Sequence, residues 1–166
     1  MGIGKIPDNI QKIDRDDALV TWLDTTPTST PTWALLGVGM TEYGIDFGAQ
    51  TETEKWIIEK NARTEHTSNQ KVGDVTQKMY KGDPCYEFAK AGMDKLNYKT
   101  HVLDVFASEG SNGTYPAKMS DALLVISNFG GEDAEIGYSV NYNGDPVEGT
   151  VTIANGVPTF TPTVSV

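Results

Sequence analysis

The chain has 166 residues, enough for one domain with a real core, and carries 13 Lys and Arg against 23 Asp and Glu, a net charge of -10. That balance argues against a nucleic-acid binder, which needs basic patches to neutralise phosphates. The single cysteine excludes an internal disulfide, no apolar run is long enough to span a bilayer, and Met1 to Asp17 lacks the apolar core of a signal peptide, so synthesis and folding in the cytoplasm, with no membrane partner, are expected.

Residues 1–32 read as an N-terminal arm and linker. Ile3, Ile6, Ile10 and Ile13 are scattered among Pro7 and charges without strand alternation, and Thr25 to Thr32 is rich in Thr, Pro and Ser. Trp22 is expected to be an exposed anchor on this arm. Trp33-Ala34-Leu35-Leu36 opens the packed domain, expected over 33–157. Tyr43, Ile45 and Phe47 alternate with Gly44, Asp46 and Gly48, the pattern of a half-buried strand.

A long polar excursion, expected as a hairpin or loop over about 49–80, comes next. Glu52 to Lys60 reads as a strand around Trp56 and Ile58. Asn61 to Lys71 holds almost no apolar residue, and Gln70 to Tyr80 resumes a β-like pattern. Its outer part has too little apolar surface to join a monomer core. The excursion ends in Gly82-Asp83-Pro84. Asp83 suits an N-cap and Pro84 the first helical position. Cys85, Phe88, Ala89, Gly92, Met93 and Leu96 then recur at helical spacing, which predicts one amphipathic helix over about 83–96 with Asn97 as its stop.

Strands follow. Thr100 to Ala107 and Ala122 to Ile126 are near-continuous apolar runs, as in strands covered on both faces. Gly110 to Pro116 and Gly130 to Asp133 read as loops. Ile136 to Tyr142 and Val147 to Ile153 alternate, and Asn143-Gly144-Asp145-Pro146 between them reads as a turn. Residues 158–166 form a short C-terminal tail. The expected architecture is mainly β, an antiparallel sandwich or barrel with one flanking helix.

Three segments in this order carry a family resemblance. The first runs from Ala49-Gln50-Thr51-Glu52 through Trp56-Ile57-Ile58-Glu59-Lys60-Asn61-Ala62. The second runs from Asp74-Val75-Thr76-Gln77 through Tyr80-Lys81-Gly82-Asp83-Pro84 into the helix. The third joins Ser127-Asn128-Phe129-Gly130-Gly131, Ile136-Gly137-Tyr138-Ser139-Val140 and Asn143-Gly144-Asp145-Pro146-Val147 with Gly149-Thr150-Val151. Gly113-Thr114-Tyr115-Pro116-Ala117 fits the same pattern. Together they resemble the major tail tube proteins of bacteriophages with long, non-contractile tails, a fold similar to the type VI secretion tube. Cys85 stands where an ordinary apolar residue is expected, and the N-terminal arm has no counterpart in the pattern.

The resemblance implies a non-enzymatic structural subunit, located in the virion tail after assembly in the host cytoplasm. Copies would form hexameric rings, and stacked rings a tube for genome ejection. Partners would be other copies, the tape measure protein and the tail terminator and tip proteins, with DNA passing transiently and without specific binding. No cofactor or metal is expected. The ring-stacking loop is expected at Asn61, Arg63, Glu65, His66, Asn69 and Gln70. From Met119 to Val166 there are six acids and no Lys or Arg. Of these, Glu135, Asp145 and Glu148 are candidate lumen acids, which would repel phosphates and let DNA slide.

Competing readings rest on thinner patterns. Cys85, His101 and Asp104 are the residue types of a nucleophile, a base and an orienter, but Cys85 on an apolar helix face reads better as a small packed hydrophobe. The acidic clusters Asp14 to Asp17 and Glu132 to Glu135 follow no calcium-loop pattern. A monomeric β-sandwich module, for instance one binding carbohydrate on Trp22, Trp33 and Trp56, has no use for a long polar excursion.

Overall fold

The computed structural model describes residues 9–164; the start of the expected arm, Met1 to Asp8, and the end of the expected tail, Ser165 and Val166, lie outside them. The fold is mainly β, as the patterning predicts, with ten strands: β1 Val20–Asp24, β2 Trp33–Leu35, β3 Ile45–Asp46, β4 Gln50–Glu54, β5 Arg63–Ser68, β6 Val72–Lys78, β7 Tyr98–Val105, β8 Thr114–Gly130, β9 Glu135–Ala154 and β10 Val157–Pro162. Helices are a single turn, α1 (Arg15–Ala18), and α2 (Pro84–Ala91). Eight strands make one antiparallel sheet in the order β2-β1-β7-β8-β9-β6-β3, with β10 also paired to β9, while β4 and β5 make a separate two-stranded sheet. The large sheet is not closed. Its ends, β2 and β3, are joined by a connection in which Gly39 O accepts from Lys78 N at 3.0 Å. Gly39 has φ +74, and a Cβ there would sit 2.7 Å from Lys78 O, so only glycine lets the connection lie this close to β6.

The body starts earlier than the sequence suggests. β1 lies between β2 and β7, and Trp22 is only 7% exposed, not an anchor in solvent. The five-residue run shows no alternation because both of its faces are covered. Leu23 joins Val102, Leu124, Tyr138, Val140 and the apolar side of α2 in the main core. Trp22 joins Leu103, Val105, Ala117 and Val151 in a second cluster on the opposite face.

β8 and β9 organise the sheet. They pair along nearly their whole length, and the predicted turn at Asn143 to Pro146 does not form. The register passes from Asp121 opposite Asn143 to Met119 opposite Val147, so Gly144, Asp145 and Pro146 bulge opposite Ser120 while the strand runs on. Gly144 takes φ +71 and Pro146 has no N–H to lose, which suits both to a bulge. Pairing with an unbroken 17-residue β8 outweighs the local turn preference. The expected loop at Gly110 to Pro116 is likewise shorter, because β8 begins at Thr114. The alternating run Tyr43 to Phe47 supplies only the two-residue β3.

On one side of β9, β6 covers the first half and β10 the second. β6 therefore belongs to the body and not to the polar excursion, with Gly73, Val75 and Gln77 turned inward. Pro158 to Pro162 likewise lie in β10, not in a free tail. Thr163 N donates to Glu148 O at 2.9 Å. By strand alternation, Pro158, Phe160 and Pro162 turn their backbone nitrogens away from β9.

The helix start is as read. The Asp83 carboxylate accepts from Tyr86 N at 3.3 Å and from the side-chain amide of Gln77, and Pro84 opens the helix. Gln77 also donates to Val38 O at 2.8 Å, and its oxygen accepts from Tyr138 at 3.3 Å. The end of the helix is not as read. α2 stops at Ala91 with Gly92 as its cap, and Leu96 is 94% exposed. A side chain at Gly92 would run into the Tyr98 ring, which stacks on Phe88 at 4.8 Å. Asn97, at φ 54, then turns the chain into β7. Asp83→Ala removes both the cap and the partner of a fully buried amide, so a loss of about 2–3 kcal/mol is expected in urea unfolding. A loss below about 0.5 kcal/mol would show that the Gln77–Asp83 contact carries nothing.

Candidate assembly surface

Among the described strands, only β4 and β5 lie outside the body sheet, as a separate hairpin. Every residue of both strands is exposed. Two strands without a packed face are marginal in water. On one face, Thr53 and Thr64 share a hydrogen bond of 3.0 Å. On the other, Glu52 stands directly opposite Glu65, a repulsive cross-strand pair. At the base, Gln70 N donates to Phe47 O at 2.9 Å, which brings the two ends of the excursion together.

The expected stacking loop is therefore mostly a strand, with Arg63, Glu65 and His66 on β5. His66 Nε2 lies 2.7 Å from Asn69 Oδ1, which with Gln70 places these residues at the base. Asn61 lies in the turn, and Arg63 sits 4.7 Å from the Trp56 ring and pairs with Glu59. The residues most open to a partner are others. Trp56 is 53% exposed, Ile57 103% and Ile58 88%. Three consecutive apolar residues bounded by Lys55 and Glu59 read as strand core in the sequence, yet they form the turn between β4 and β5. No local signal marks them as a tip, since an apolar run without alternation reads equally as a strand covered on both faces, as in β1.

The candidate lumen acids all lie on β9 but do not form one cluster. Glu135 begins the strand opposite Lys78 and Gly130. Asp145 sits in the bulge, and Glu148 lies 3.6 Å from Lys118. The Cys85, His101 and Asp104 set is dispersed. The Cys85 thiol donates to Ala34 O at 3.5 Å and Leu35 O at 3.4 Å, and burial pushes its pKa up to about 12, which holds it as a thiol. His101 and Asp104 point to opposite faces of β7. His101 Nδ1 lies 3.0 Å from Asp24 Oδ2, and its Nε2 lies 3.5 Å from Asp121. The fully buried Asp24 also accepts from Thr26 N at 2.9 Å and Thr32 N at 3.1 Å, which anchors the loop after β1. Asp104 accepts from Thr21 at 2.8 Å and Tyr142 at 3.2 Å, and Tyr142 meets Tyr43 at 2.7 Å. Burial raises the Asp104 pKa to about 6 and raises those of both tyrosines.

Among the described residues, no group of three His, Cys, Asp or Glu is arranged to hold a metal ion, and no helix is long and apolar enough to cross a membrane. The three tryptophans do not share a platform. Trp22 and Trp33 belong to the second core cluster, and Trp56 is at the hairpin tip. The sequence matches no protein-family model, and no curated protein matches it.

Proposed function

We propose that this protein is a structural subunit that self-assembles into stacked hexameric rings forming a bacteriophage tail tube, a conduit for genome ejection. The observation that carries the reading is the β4–β5 hairpin, which has no packed face of its own and ends in bare apolar side chains. A subunit that lives alone gains nothing from such an element, whereas one that stacks on its copies uses it as a connector. The open ends of the main sheet supply further pairing edges. Partners are other copies, the tape measure protein and the terminator and tip proteins, in the virion tail after assembly in the host cytoplasm. The net charge of -10 suits a channel through which DNA slides without sticking. The subunit performs no chemistry.

Negative-stain electron microscopy of the purified protein at rising concentration tests this. Rings or tubes of uniform width are expected. Particles that stay single at millimolar concentration would sink the reading.

A further inference from the structure

Away from the hairpin, the body carries a row of polar side chains on the sheet face opposite α2. His101 is paired with Asp121, and Asp121 with Asn143, so the three stand side by side on β7, β8 and β9. All three line one cavity of about 490 Å³, with Lys99 its one cationic neighbour. His101 is oriented from β1. Its Nδ1 lies 3.0 Å from Oδ2 of the fully buried Asp24, whose Oδ1 is held by Thr26 N and Thr32 N. A carboxylate only accepts, so Nδ1 carries a hydrogen. In a neutral imidazole Nε2 then presents a bare lone pair, and it faces Asp121 Oδ1 at 3.5 Å. Two acceptors that face each other repel, and a cation between them removes the repulsion. The spacing is long for a hydrogen bond. It suits a shared ion, since two donors each about 2.1 Å from a tetrahedral metal stand about 3.4 Å apart.

We propose that His101 Nε2 and Asp121 Oδ1 hold a divalent transition-metal ion, with Asn143 as a third oxygen donor and water completing the shell. A carboxylate behind the ligating imidazole, the place of Asp24 here, fixes the ring and its tautomer in metal sites. Imidazole with carboxylate favours zinc-like ions over magnesium or calcium. The net charge of -10 draws cations to the surface, and the exposed Lys99 has a stem long enough to turn its ammonium to water. The ion ties β7 to β8 and, through Asp24, to the loop after β1. It is a clasp within one subunit, independent of whether copies assemble.

Zinc chloride titrated into the full chain tests the site. The chain has two histidines, and His66, at the hairpin base, is the internal control. Calorimetry should show one zinc ion per subunit. Diethyl pyrocarbonate labelling read by mass spectrometry should show zinc protecting His101 and not His66. H101N keeps a donor where Nδ1 stood, and Asp121 is exposed, so H101N and D121N should both melt as the wild type does. Each should weaken zinc binding by at least the roughly tenfold that loss of even an outer partner costs. Zinc should raise the melting temperature of the wild type and leave that of H101N unchanged. Absence of zinc binding, in which case only a proton fills the gap, overturns the site. So does equal protection of both histidines, or full affinity in either variant, which would mark an adventitious ion only.

Discussion

Asp104→Asn is expected to make the protein more stable at neutral pH and to remove one pH dependence of its unfolding. Asp104 is 4% exposed and takes both of its hydrogen bonds, from Thr21 and Tyr142, on Oδ1. An asparagine keeps that acceptor and carries no charge. Burial raises the carboxyl to about 6 from an ordinary 3.8, against the smaller pull of the two hydroxyls and of Lys71 and Lys118. The folded state therefore holds this proton more tightly than the unfolded chain. The stabilisation is complete below about pH 4 and is lost as the pH rises through 6. The loss is of order 3 kcal/mol at pH 7. Urea unfolding at pH 4 and pH 7 checks it. The two proteins should be similar at pH 4, and the variant should lead by about 2–3 kcal/mol at pH 7. An equal change in both proteins between those pH values would refute the assignment.

Replacing residues 50–68 with two glycines is expected to leave a folded subunit that no longer assembles. Both hairpin strands are wholly exposed, so their removal deletes little packing. The Phe47–Gln70 backbone bond already holds the cut ends together. Going from 19 residues to two is just over three halvings of loop length, each worth about 0.6 kcal/mol, so melting should rise by a few degrees and not fall. Assembly, in contrast, should fall from tubes to single particles in electron micrographs. A variant that unfolds would show that the hairpin is part of the body. Tubes of normal length would show that the connector lies elsewhere.

What was legible in the sequence was legible because it is local. Asp83 and Pro84 announce a helix within two residues, and the alternation of Ile136 to Tyr142 survives as half of β9. What was misread depends on partners far along the chain. The Asn143 to Pro146 turn signal yields to β8, and the helix yields at Gly92 to the ring of Tyr98. β1 looked like part of an arm because five residues covered on both faces show no period. His101 finds Asp24 across 77 residues, which no spacing rule anticipates. At the candidate assembly surface, the sequence located the excursion but placed its working end at Asn61 to Gln70. The three apolar residues before that segment resemble core, and only the three-dimensional separation of the hairpin from the body reveals them as its tip.

The two prolines of β10 whose nitrogens face away from β9 have a consequence for the free subunit. Along that rim Phe160 supplies the single backbone donor between Pro158 and Pro162, so an incoming strand finds no continuous ladder to template on. That edge is thereby guarded against amyloid-like stacking of one copy on another. In the proposed tube, growth would then be restricted to the joints that the fold leaves open.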